Sequence, residues 1–215
     1  MTETQAALDV LQDRCLSAGM AWEPAWREPL QRLCEVVADG ARATNLVGDA
    51  SPAGVCAHVV EALVVADCAR QLGMTPLSVG DIGAGAGLAA LTYALAWPQA
   101  RVFAVEPRRL RADFIRVAAV ACELGERVVV VQRSLGAAVA ACELPPALDL
   151  VDARAVWPAP EWMARAKPLV ATTGLIALHL RGADAGTEAL LASERVLAHK
   201  SVPGPRDYLV ALARP

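Results

Sequence analysis

The sequence predicts an α/β domain on a mostly parallel sheet, preceded by a helical extension, and three observations carry that prediction. From residue 77 onward, short β-branched apolar runs alternate with helical stretches. A glycine-rich turn joins the first of these runs to the next helix, and residues 1–73 show helical periodicity alone. Strands apolar on both faces and separated by helices belong in a parallel sheet covered on both sides.

The N-terminal helical extension, residues 1–73, opens with a helix over 4–16, where Leu8, Leu11, Cys15 and Leu16 share a face. A second helix over 26–37 buries Leu30, Leu33, Cys34 and Val37, and Asp39-Gly40 is expected to end it. Ser51-Pro52 supplies a cap and a first-turn proline for a third helix over 53–72, stopped by Gly73. In the Rossmann-like unit, residues 74–215, strands are predicted over 77–82, 101–106, 127–132, 148–152, 174–180 and 208–213. Helices are predicted between them over 87–97, 107–124, 135–142, 161–167 and 185–192. A strand over 196–202 pairs with the last one as a C-terminal antiparallel hairpin through 203–206.

Composition narrows the function. The chain has 215 residues, is 55% hydrophobic and has a net charge of −3, which excludes a disordered tail, a fibre and a small disulfide scaffold. Mild acidity argues against coating nucleic acid by bulk charge and leaves a local basic face as the route to phosphate. The six Cys lack any C-x-x-C pair and the three His are not spaced for zinc, so no metal is expected, and the thiols suit a reducing cytoplasm. Residues 1–14 lack the basic start and apolar run of a signal peptide. The uncharged stretch 82–100 approaches the length of a membrane span, but Gly83, Gly85 and Gly87 crowd its start and Pro98 closes it, so no membrane is expected.

The most informative segment is Asp81-Ile82-Gly83-Ala84-Gly85-Ala86-Gly87-Leu88. Glycines there let the backbone turn and approach a ligand, and the following helix N-terminus offers free N–H donors. The register Gly85-x-Gly87-x-x-Ala90 satisfies a dinucleotide fingerprint. An acid two residues before a G-x-G-x-G run instead resembles motif I of the class I S-adenosylmethionine-dependent methyltransferases. Glu106, at the end of the next strand, is placed to accept hydrogen bonds from ribose hydroxyls and serves either cofactor.

From about Thr44 to the C-terminus the sequence resembles the glucose-inhibited division protein B (RsmG) family of bacterial 16S rRNA guanine-N7 methyltransferases. The ordered blocks are Asn45-Leu46, His58 to Ala66, Asp81 to Leu88, Leu148 to Ala155 and Leu178-His179-Leu180-Arg181-Gly182. The resemblance implies that Gly83, Leu88, Leu135, Gly136 and Arg154 line the S-adenosylmethionine site with Asp81, Gly85, Gly87 and Glu106. Arg154 is the single catalytic candidate, while His58, Arg181 and Arg206 are candidates for contacting substrate. The implied partner is 16S rRNA or the small ribosomal subunit, bound by a monomer. The chain departs from the family at Val47, Glu61-Ala62, Ala86, Ser134 and Arg181, which points to altered substrate recognition.

Methylation at guanine N7 needs no general base, which agrees with the lack of a Ser-His-Asp or Cys-His signature near the loop. Arg101, Arg108, Arg109, Arg111 and Arg116 offer either an RNA face or a solvated helix, and Trp157 either a stacking ring or a packed one. An ion pair with an acid such as Asp152 is the alternative for Arg154, and His179 is a secondary ligand-binding candidate. Three rival functions stand beside this one: a same-fold enzyme for a small molecule or protein, a non-catalytic cofactor- or RNA-binding module, and an NAD-dependent oxidoreductase.

Overall fold

The computed structural model describes residues 1–43, 47–135, 144–181, 185–193, 195–203 and 208–215. Helix α1 (Glu3–Ser17) begins in a capping box: the Thr2 hydroxyl accepts from the Gln5 amide at 3.2 Å and Gln5 Oε1 accepts from the Thr2 amide at 2.9 Å. Helix α2 (Arg27–Ala43) runs through Asp39 and Gly40, where the sequence reading stops it. A mid-helix glycine costs only about 1 kcal/mol, and the buried stripe of Leu30, Leu33, Cys34 and Val37 offsets that. Helix α3 (Pro52–Gln71) starts at Ser51, whose hydroxyl accepts from the Gly54 amide at 3.1 Å. It is apolar nearly all round and long enough to cross a membrane, yet 72% of its apolar window is buried inside the protein, which makes it a core helix.

The α/β part contains β1 (Ser78–Ile82), α4 (Leu88–Ala96), β2 (Arg101–Val105), α5 (Arg109–Ala121), β3 (Val128–Val131), β4 (Leu148–Asp152) and α6 (Ala159–Ala166). It continues with β5 (Val170–Arg181), α7 (Ala185–Leu191), β6 (Val196–Ser201) and β7 (Tyr208–Ala213). The strands form a seven-stranded sheet in the order β3-β2-β1-β4-β5-β7-β6 among the described residues. Strands β1 to β5 run parallel, and β7 lies antiparallel between β5 and β6, so the expected C-terminal hairpin is present. Strand β5 starts four residues earlier than the predicted 174 because Val170 pairs with Leu148 before a register shift brings Leu175 beside Leu150. Of the helix predicted over 135–142, only Leu135 lies among the described residues.

Packing divides around the sheet. One apolar cluster joins Leu8, Leu33 and Val59 of the helical extension to Val79, Leu150 and Leu212 of the sheet. The other face packs Ile82, Val151, Ile176 and Leu178 against Trp162, whose indole N–H donates to the Ala177 carbonyl at 2.9 Å. Asp149 fixes the start of β1, one carboxylate oxygen accepting from the Leu77 and Ser78 amides at 2.9 Å each and from the Ser78 hydroxyl at 3.0 Å. The chain leaves β1 for β2 on one side and has β4 on the other, so a crevice opens at the carboxyl ends of β1 and β4.

Candidate active site

The glycine loop occupies that crevice. Asp81, on β1, is buried, and its Oδ2 accepts from the Ala90 amide at 3.0 Å, tying the strand to the first turn of α4. Gly83, Gly85 and Gly87 all have left-handed backbones, with φ of 78°, 60° and 77°. Their surroundings differ. A Cβ on Gly83 would lie 2.6 Å from Val156 Cγ2 and one on Gly87 2.8 Å from Ile115 Cγ1, whereas one on Gly85 would meet nothing nearer than Arg111 Nη1 at 3.8 Å. Gly87 caps α4 over Ile115, and Gly85 faces open space.

That space is a cavity of about 320 Å³ lined by Asp81, Gly83, Gly85, Leu88, His58 and Arg154, with Arg108 and Arg111 at its edge. Glu106 follows β2 fully buried, neither solvated nor free. Its Oε2 accepts from the Gly85 amide at 2.9 Å, and its Oε1 accepts from the Arg108 amide at 2.9 Å and from Arg108 Nε at 2.8 Å. Burial pushes the Glu106 carboxyl upward, but the Arg108 and Gly85 donors outweigh it and hold it below its ordinary value. Leu135 packs half-buried against the second apolar cluster, while Gly136 and Arg206 lie outside the described residues.

Arg154 follows β4 and pairs with Glu61 of α3 at 2.6 Å, also donating to the His58 carbonyl at 3.3 Å. Asp152, the neighbouring acid that the sequence offers as an alternative partner, is engaged elsewhere: Oδ1 is 2.7 Å from His179 Nε2, and Oδ2 accepts from the Tyr93 hydroxyl at 2.5 Å. Burial first, and then the neighbouring Asp152 charge, push the Asp81 carboxyl up to about 7. Asp152 is held below its ordinary value, since His179, Tyr93 and Arg154 overcome the burial.

A carboxyl whose folded pKa is raised gives stability that is present below its unfolded pKa and lost as pH rises through the folded one. The wild type should therefore lose stability between about pH 4 and pH 7 through Asp81. Asp81→Asn should be more stable than wild type at pH 8 by about 2 kcal/mol, half of what the full shift implies at about 1.4 kcal/mol per unit. The gap should close at pH 4.5. Urea unfolding at both pH values measures it, and an unchanged gap rules out a buried Asp81 whose carboxyl holds its proton up to about pH 7.

A second cavity, of about 550 Å³, opens over the ends of β4 and β5 and shares Ala155 and Val156 with the first. Trp157, Pro158, His179, Arg181 and Tyr208 line it. Trp157 stacks on Trp162 at 5.7 Å with Arg165 over its ring, so it is a packed ring that also forms a wall. Arg109 and Arg116 both pair with Asp113, which leaves Arg108 and Arg111 as the members of the α5 arginine group that reach the first cavity. Glu61, Tyr93 and Tyr208 belong to this site without having been singled out in the sequence. Each joins it from a distant element, and only the departure at Glu61 hinted at any of them.

The sheet order with its antiparallel hairpin, the acid-plus-glycine loop and the paired cavities define a class I methyltransferase fold. The O-methyltransferase TomG from Streptomyces achromogenes, solved in complex with SAM, superposes with a TM-score of 0.57 over 100% of this chain and 99% of its own at 17% identity. Beyond the fold, the chain belongs to the family of rRNA small subunit methyltransferase G (GidB), which it matches over residues 27–205. It is 36% identical over 136 residues to ribosomal RNA small subunit methyltransferase G of Acidothermus cellulolyticus, covering 62% of this chain and 57% of the relative. The protein of the same name from Salinispora arenicola is 39% identical over 127 residues, 57% of this chain and 52% of that one. The matched region thus spans little more than half the length of these relatives.

Proposed function

We propose that the protein is a cytoplasmic S-adenosylmethionine-dependent methyltransferase acting on guanine N7 of 16S rRNA in the small ribosomal subunit. Residues 74–215 form its transferase unit and residues 1–73 its extension. The carrying observation is the open face of Gly85 in a cavity lined by the buried Asp81, with the buried Glu106 carboxylate holding the Gly85 amide from behind the loop, in a chain of the GidB family. That donor set fits the cofactor: a bare backbone for close approach, acids for the sugar hydroxyls and a guanidinium for the carboxylate.

When bound, S-adenosylmethionine would supply an activated methyl group, passed in line to a nucleophile as the bond to sulfur breaks and a neutral thioether leaves. Gly83, Gly85, Leu88, Asp81, Glu106 and Arg154 hold the cofactor. Glu106 meets the ribose once the Arg108 side chain, 61% exposed, gives way. Guanine N7 loses no proton on methylation, so the chain needs to orient the base and exclude water and not to abstract a proton. Arg108, Arg111 and Arg181 at the cavity rims would meet RNA phosphates.

The test is transfer of labelled methyl groups to small ribosomal subunits that lack the modification. Label in 16S rRNA at a guanine N7 supports the reading. Label confined to small molecules or to protein supports the same-fold rival, which the net acidity favours.

A further inference from the structure

The second cavity contains a polar atom that the fold leaves unanswered. His179 stands near the end of β5 with its side chain 4% exposed and Nε2 at 2.7 Å from Asp152 Oδ1. The other Asp152 oxygen accepts from the Tyr93 hydroxyl, so three side chains form a line from α4 through β4 to β5. His179 Nδ1 is buried and has no hydrogen-bond partner among the described residues. The ring lines the cavity and lies 5.8 Å from Tyr208. Buried polar atoms are nearly always paired, and one beside a cleft marks a place for a ligand atom.

The identity of that ligand atom follows from the tautomer. An ionised carboxylate only accepts, so the bond to Asp152 places a proton on Nε2, and the neutral imidazole in that tautomer presents the lone pair of Nδ1 to the cavity. Such a nitrogen attracts an N–H and repels another lone pair. Guanine carries N–H donors at N1 and at its 2-amino group, on the edge away from N7, whereas adenine N1 is bare.

We propose that His179 determines base specificity in the second cavity, its Nδ1 accepting a hydrogen bond from the N1–H edge of guanine. Asp152 and Tyr93 act as positioning residues that fix the ring and its proton. The inference rests on the proposed methyl transfer to guanine, and a base held by that edge keeps N7 free for the methyl donor. His179 takes no proton in the reaction.

The experiment uses the full chain labelled with 15N-histidine, saturated with S-adenosylhomocysteine and titrated with guanosine or adenosine monophosphate. The His179 resonances should show the proton on Nε2, and the guanosine nucleotide alone should shift Nδ1. The wild type should prefer it by at least tenfold. His179→Phe should lose the preference while keeping its affinity for S-adenosylhomocysteine, and Tyr93→Phe should weaken the preference. A proton on Nδ1, no preference in the wild type or a preference kept by His179→Phe overturns the assignment. Methyl transfer to small subunits is measured on the same preparations. Transfer by a wild type whose nucleotide preference survives in His179→Phe overturns the His179 role alone. A wild type that transfers nothing overturns the proposed reaction and this role with it.

Discussion

Gly85→Val should lower the affinity for S-adenosylhomocysteine by at least a hundredfold, about 3 kcal/mol, while the protein stays folded. The argument is steric. A Cβ at Gly85 meets no protein atom closer than 3.8 Å, so the added side chain projects into the cavity and takes the room of a ligand. Its cost to stability is the left-handed backbone at φ 60°, about 1–2 kcal/mol for a residue with a Cβ. Gly87→Val is the contrast. There the new atoms collide with Ile115 at 2.8 Å, so overpacking of about 1–3 kcal/mol adds to the backbone strain and the melting temperature should fall further. Calorimetric titration and thermal melts of the two variants separate the roles. An unchanged affinity in Gly85→Val, with the fold intact, removes the cofactor from this cavity.

The parts that were legible in the sequence are those whose signal is local. The strand-to-helix loop around Gly83, Gly85 and Gly87 could be read because a left-handed backbone requires residues of one kind within a few positions. The strands could be read because five of them run parallel, buried on both faces, and show as apolar runs. Helix α2 passes the expected stop at Asp39-Gly40 because propensity is a weak penalty there and tertiary packing carries the helix on to Ala43. The site's ionic order was not legible at all. Arg154 lies 93 positions from Glu61, and Tyr93 lies 59 from Asp152, so both pairings are decided by the sheet order. The acid nearest to Arg154 in sequence, Asp152, is taken by His179 from the neighbouring strand. Glu106, expected from the sequence as a ribose ligand, is bonded to the Gly85 amide and to Arg108, which makes it a brace of the loop, a role that no local signal in the sequence carries.

The same ionic order makes Arg154→Ala strongly destabilising. The guanidinium and the Glu61 carboxylate are 20% and 14% exposed, so the pair is largely withdrawn from water. Removing one partner of such a pair costs about 3–5 kcal/mol, because the other charge stays buried without compensation. Arg154 also offsets Asp81 and Asp152, acting to lower both carboxyls. Without it, Asp81, already pushed up to about 7, would rise further, and Asp152 would lose part of its depression. A raised carboxyl gives stability at low pH that is lost as pH climbs through its folded pKa, so the deficit of Arg154→Ala should widen from pH 5 to pH 8. Arg154→Lys restores the charge but not the fork that reaches both Glu61 and the His58 carbonyl, so it should recover the pH profile and only part of the stability. Urea unfolding at the two pH values measures this. A deficit of equal size at both, unaltered in Arg154→Lys, would show that Arg154 acts by packing alone and not as the cation that lets three carboxylates share one crevice.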